Sequence, residues 1–125
     1  MQKESESLIR TEIWHRAFNL RTKHTIDELP HQKVVFAIFA IIDDEPKNCR
    51  YVGECEDLHQ TIINLFEQTS SPGLTKFMQG PWIKMLVYEK ATSFTVIERQ
   101  VVAQEWRNRY QPAIDDNGEC PGYYA

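Results

Sequence analysis

Three groups of residues in this sequence could carry chemistry. The first is the run Arg50-Tyr51-Val52-Gly53-Glu54-Cys55-Glu56-Asp57-Leu58, in which a strand ending in Tyr-Val-Gly passes directly into a capped helix. It offers a phenol hydroxyl at Tyr51 and an acidic turn at Glu54, Glu56 and Asp57. The second is the last long helix, where Arg99, Arg107 and Arg109 sit among Gln100, Gln104 and Trp106. Arginines beside an indole are the materials of a single-stranded nucleic-acid surface, with Trp106 as stacking platform. Glu98 and Glu105 interleave with them, however, and mixed charge is the ordinary pattern of a solvated helix face. The third group is the histidines and cysteines. His15, His24, His31 and His59 show no His-x-x-x-His spacing, and Cys49, Cys55 and Cys120 show no C-x-x-C pair, so both sets read as free side chains with no metal ligand set. No glycine-rich phosphate loop is present, and Ser70-Ser71 has no partner pattern for acyl chemistry.

Composition limits what these groups can be doing. At 125 residues the chain is about one domain, large enough to bury roughly two-thirds of its unfolded surface. An apolar share of 42% and a charged share of 26% are those of a globular protein. The net charge of −4 weighs against a surface built for nucleic-acid phosphates, as do the three carboxylates on the strand-to-helix turn. The longest apolar run, Val34 to Ile42, is nine residues and falls short of the ~18 that a membrane span requires. With no secretory leader pattern at the amino terminus, the expected setting is cytoplasmic, with reduced cysteines and no Cys49–Cys55 disulfide.

The elements that would position these groups follow from periodicity. Glu4 to Lys23 places Leu8, Ile9, Ile13, Trp14, Ala17, Phe18 and Leu20 at helical intervals, predicting an amphipathic helix closed by Pro30. Val34–Ile42 reads as a strand, 43–48 as a polar turn, and Cys49–Val52 as its hairpin partner. Asp57 caps the next helix, whose buried stripe is Leu58, Ile62, Ile63, Leu65 and Phe66. A short helical piece follows around Leu74 to Met78, then a third strand from Trp82 to Glu89 with Ile83, Met85 and Val87 as its core side. Thr92 or Ser93 caps a last helix that ends near Tyr110 before Pro112. The expected fold is therefore α+β: a small three-stranded antiparallel sheet flanked by helices, with an extra amino-terminal helix. Residues 1–30 form that extension, 31–116 the domain and 117–125 a tail.

Strand, strand, helix, strand, helix is also the order of the GIY-YIG nuclease domain, which the chain resembles at specific residues. Ala37-Ile38-Phe39 corresponds to the family's Gly-Ile-Tyr, and Tyr51-Val52-Gly53 to its Tyr-Ile-Gly or Tyr-Val-Gly. Asp57-Leu58 looks like the opening of the helix that bears the family's arginine, and Tyr110-Gln111-Pro112 resembles the end of its last helix. The resemblance covers about Val34 to Asp115. It implies a metal-bound phosphate, tyrosines that activate water, a metal-binding glutamate, and an arginine facing the charge that develops on phosphorus.

At those positions this chain has Phe39, Thr61 for the arginine, Leu65 for a nearby histidine, and Ala103 nine residues before Pro112 for the glutamate. Of the catalytic set only Tyr51 remains. Glu98 and Glu105 become candidate metal carboxylates only through a register shift, and neither supplies the missing arginine. The expectation is a catalytically inactive GIY-YIG-like domain that binds a protein partner or a second copy through Phe39, Tyr51, Gly53, Thr61, Trp106 and Arg107, with no cofactor. The alternatives are a Mg²⁺- or Mn²⁺-dependent endonuclease with a rearranged site, and a non-catalytic DNA binder.

Overall fold

The structure, a computed structural model, describes residues 8–14, 25–67, 69, 71–80 and 82–113. Its centre is the strand β2, Val34–Ile42, nine consecutive apolar residues of which the first seven are buried. A run with no polar alternation is what a strand covered on both faces requires. β2 turns back through Asp43-Asp44, at φ 55° and 66°, into β3, Glu45–Cys55. Two successive left-handed residues make the hairpin turn whose twist matches its strands, and aspartate tolerates that conformation through its short polar side chain. The expected polar turn over 43–48 thus contracts to two residues, and the strand begins at Glu45.

The ladder between β2 and β3 is broken twice. Ile38 faces Tyr51, but Phe39 faces Cys49 and Ala40 faces Lys47, which leaves Arg50 and Asn48 as extra residues. Asn48 takes φ 59°, as a bulge residue in the left-handed region does. The consequence is a change of face: Tyr51 packs with Ile38 toward one side of the sheet, while Phe39 and Cys49 point to the other.

β4, Lys84–Lys90, lies antiparallel to the other side of β2, and β1, Leu8–Ile13, lies antiparallel to β4, so the order is β1-β4-β2-β3. This corrects the expected three-stranded sheet with an amino-terminal helix. Leu8, Ile9 and Ile13 suit a helical stripe, but Ile9, Thr11 and Ile13 also share one face of a strand, and their branching favours extended backbone. A helix there could only pack its stripe, whereas a strand also satisfies the open edge of β4. Ile13 is fully buried as a result. The rest of the expected helix, residues 4–7 and 15–23, lies outside the described residues, as does the tail 117–125.

Helices cover both faces. On one side α1, Leu58–Glu67, and α2, Pro72–Gln79, pack Leu58, Ile62, Phe66, Leu74, Phe77 and Met78 onto Phe36, Ile38, Leu86 and Tyr88. On the other α3, Val96–Tyr110, packs Ala103 and Trp106 onto Val35, Ala37, Val52 and Val87. β4 is therefore buried on both faces. The side expected to face outward, Lys84, Leu86 and Tyr88, is the more buried one, and Ile83, expected inside, is 44% exposed.

Caps fix where the helices begin. Asp57 Oδ1 accepts from the Gln60 amide at 3.0 Å, as expected for α1. α3 starts at Thr95 and not at Thr92 or Ser93, because Glu98 three residues on completes a capping box: Glu98 N donates to the Thr95 hydroxyl at 3.1 Å and Thr95 N to Glu98 Oε1 at 2.8 Å. No helix among the described residues is long and apolar enough to cross a membrane.

Candidate functional site

Tyr51 lies on β3, at the edge of the sheet, and its ring folds back over Gly53. A Cβ at Gly53 would stand 2.8 Å from Tyr51 Cε2 and 3.3 Å from Phe36 Cζ, so only glycine leaves the ring its place. Phe36 supports the ring from the sheet with centroids 5.7 Å apart. From the other side of the sheet, Arg107 of α3 reaches round the edge and donates Nη2 to the Val52 carbonyl at 3.3 Å. Burial raises the Tyr51 phenol above its ordinary pKa of 10.0; the Arg107 charge opposes this, and Cys55 and Glu54 add to it. At neutral pH the group is a protonated phenol, suited to donating or accepting a hydrogen bond and poorly suited to acting as an oxyanion nucleophile.

The carboxylates beside it are already engaged. Arg99 of α3, 2% exposed, donates Nε to Glu54 Oε1 at 2.8 Å and sets Nη2 at 3.5 Å from Glu56 Oε2. The acidic turn is thereby bound to α3 by a cation that read from sequence as part of a solvated helix face. Burying a guanidinium costs several kcal/mol unless it is paired, so the demand for Glu54 is structural.

The residues singled out in sequence fall into separate groups. Tyr51, Gly53 and Thr61 lie on the α1 side, where the Thr61 side chain hydrogen-bonds Cys55 and burial holds the Cys55 thiol above its usual pKa. Arg107 joins them only at the strand edge. Phe39 and Trp106 lie on the α3 side, both stacked edge-to-face against Tyr110 at 5.1 and 5.7 Å. Trp106 is 3% exposed and offers no stacking platform to a nucleic acid. Of the candidate metal carboxylates, Glu98 is held in the capping box and Glu105 is exposed on the outer face of α3. Ala103 is fully buried against the sheet. Among the described residues no three His, Cys, Asp or Glu side chains gather where they could hold a metal ion.

Besides the burial of Arg99, sequence reasoning missed two further buried cations and one side-chain cluster. Lys84 is fully buried; its Nζ donates to the Gly80 and Trp82 carbonyls at 3.1 and 2.8 Å, and it lies 5.6, 5.6 and 5.5 Å from the ring centroids of Phe66, Phe77 and Trp82. Burial pushes its ammonium down to about 7. Arg50, carried inward by the bulge, sits 5.1 Å over the same Phe77 ring. Strand alternation gives no sign of either, because the rings come from α1, α2 and the turn before β4. The cluster joins His31 to His59, which meet at 2.8 Å although 28 positions separate them.

No protein-family model matches the chain, and comparison with curated proteins and with solved structures finds no match either.

Proposed function

We propose that this chain is a GIY-YIG-like domain that has kept the scaffold and acts by binding a protein partner or a second copy, without cutting nucleic acid. Support for the likeness comes from the hairpin, helices, strand and last helix following one another in the order the resemblance implies, with β1 added at the edge. The observation that carries the non-catalytic reading is the Arg99–Glu54 pair at 2.8 Å: the acid three residues after Tyr51 on the same strand is held by a buried structural cation. Thr61, where the resemblance calls for an arginine, is engaged with Cys55. A glutamate at Ala103 would point into the core.

The surface for a partner is the outer side of α3, where Val96, Ile97 and Val101 are 45%, 71% and 55% exposed. Apolar side chains clustered on a solvent-facing helix mark an interaction face. Sedimentation of the purified chain across a concentration series, alone and as Ile97→Glu, tests self-association. If neither the chain alone nor any purified partner shows binding that Ile97→Glu weakens, this face is not the interface.

The second reading, a metal-dependent endonuclease with a rearranged site, draws on one observation: the Arg107 charge acts on the Tyr51 hydroxyl. Supercoiled plasmid incubated with Mg²⁺ or Mn²⁺ decides it. Nicking that Tyr51→Phe abolishes would overturn the binding proposal, and retention of DNA that weakens steeply with salt would favour the DNA-binding alternative.

A further inference from the structure

His31, in the loop before β2, and His59, in the first turn of α1, form a hydrogen-bonded chain with Asp57. His31 Nδ1 stands 3.0 and 3.1 Å from the two carboxylate oxygens of Asp57, and His59 Nδ1 stands 2.8 Å from His31 Nε2. The rings meet edge-to-face at 75°, with centroids 4.4 Å apart. Backbone bonds hold the two segments together: the His59 amide donates to Pro30 O and the Leu58 amide to Gln32 O, each at 3.1 Å. The cluster is therefore built by the fold and does not depend on two loose side chains meeting.

In the neutral, metal-binding form of both imidazoles the partners fix where the protons lie. The Asp57 carboxylate, with both oxygens at hydrogen-bond distance from His31 Nδ1, accepts only. His31 Nδ1 therefore carries the hydrogen, its Nε2 is a bare lone pair, and His59 Nδ1–H donates to it. His59 Nε2 is then a second bare lone pair, buried and with no hydrogen-bond partner.

We propose that His31 Nε2 and His59 Nδ1 form a two-imidazole site for a divalent late transition metal, Zn²⁺ above all, with Asp57 orienting His31 from behind. Zinc binds imidazole nitrogen at about 2.0–2.1 Å, so two such ligands stand ~2.9 Å apart at a right angle and ~3.3 Å apart in a tetrahedron. The 2.8 Å separation needs an opening of a few tenths of an ångström. A carboxylate on the far nitrogen of a ligating histidine fixes its tautomer and raises its basicity, and Asp57 holds that place. The His31 side chain is 64% exposed, so the remaining coordination positions open to water.

The metal replaces the proton shared between the rings, and that proton moves to His59 Nε2, so none is released. Nε2 then becomes a donor, and a buried acceptor without a partner, Gln32 Oε1, lies on the residue next to His31. Two protein ligands hold zinc more loosely than four, so the ion is exchangeable and keeps water in its sphere.

Titration of the full chain with zinc chloride, followed by calorimetry and by the imidazole ¹⁵N resonances, tests the site. One saturable event per chain is expected, with the His31 and His59 resonances moving together and Mg²⁺ failing to compete. Asp57→Asn, which keeps an oxygen to cap α1, should weaken binding about 10- to 100-fold. His59→Gln should abolish it. Unchanged affinity in a folded His31→Gln/His59→Gln double variant, or zinc uptake in the wild type that leaves both imidazoles unshifted, would overturn the proposal. The wild-type resonances decide the matter if the double variant fails to fold.

Discussion

Arg99 and Glu54 meet across 45 positions of sequence, guanidinium Nε to carboxylate oxygen at 2.8 Å, and join the last helix to the end of β3. Arg99 is 2% exposed and Glu54 22%, so the pair is shielded from water and screened little by salt. The Glu56 contact is longer and its carboxylate is 69% exposed, which makes it the minor partner.

Removing one member of that pair leaves a buried charge without its counterpart. Glu54→Gln or Arg99→Ala should each destabilise the fold by about 3–5 kcal/mol, measured by urea unfolding. The double variant should lose less than the sum of the two, because the second substitution removes the charge that the first stranded. Additive losses would mean that the two side chains act separately.

Lys84 sets a pH dependence of known sign. Its folded-state pKa of about 7 lies below the ordinary lysine value of 10.5, so between those limits the unfolded chain holds a proton that the native chain has given up. Stability therefore rises with pH from about 7 toward 9, and below 7 the protein bears the cost of a buried ammonium. Lys84→Met should flatten this rise in unfolding midpoints measured at pH 6 and 9. Tyr51 and Tyr88, whose pKa values are raised from 10.0, act above that window and with the opposite sign, stability falling as the unfolded phenols ionise first. A slope unchanged in Lys84→Met would assign the effect to another group.

Gly53 is required by a ring and not by a backbone angle. A methyl placed 2.8 Å from Tyr51 Cε2 forces the phenol off the sheet, so Gly53→Ala should cost about 1–3 kcal/mol. In a Tyr51→Ala background the same change should cost much less, since the obstruction is gone. Equal costs in both backgrounds would place the strain elsewhere.

The start of α3 rests on a reciprocal pair of bonds between Thr95 and Glu98. Thr95→Ala should lower stability by ~1 kcal/mol, with Thr92→Ala and Ser93→Ala near neutral. Amide exchange should quicken first at the amino-terminal turn of α3.

Much of the fold was legible because its signals are local. Val34–Ile42 announces a strand by branching alone, Asp57 a cap by its side chain, and Pro112 the end of α3 by its ring. Leu8–Ile13 reads as helix because Leu8, Ile9 and Ile13 fit a helical stripe, yet Ile9 and Ile13 also share a strand face, and the choice is made by the open edge of β4, more than seventy positions away in sequence. The face of Cys49 relative to Tyr51, two residues on, depends on the bulged residue Arg50, which no alternation pattern foretells. Arg99, Lys84, His31 and His59 resisted sequence reading for one reason: the partners of each are assembled by tertiary packing. Tyr51 was found because its triplet is continuous, and its surroundings were not.

The free margin of β3 is spoken for. Arg107 fills the Val52 carbonyl and the Ala113 amide fills the Cys49 carbonyl at 2.7 Å, so an incoming strand would have to dislodge both before it could hydrogen-bond there. Edge-to-edge pairing of copies through this margin would cost those two bonds, so the border is blunted against adding a strand.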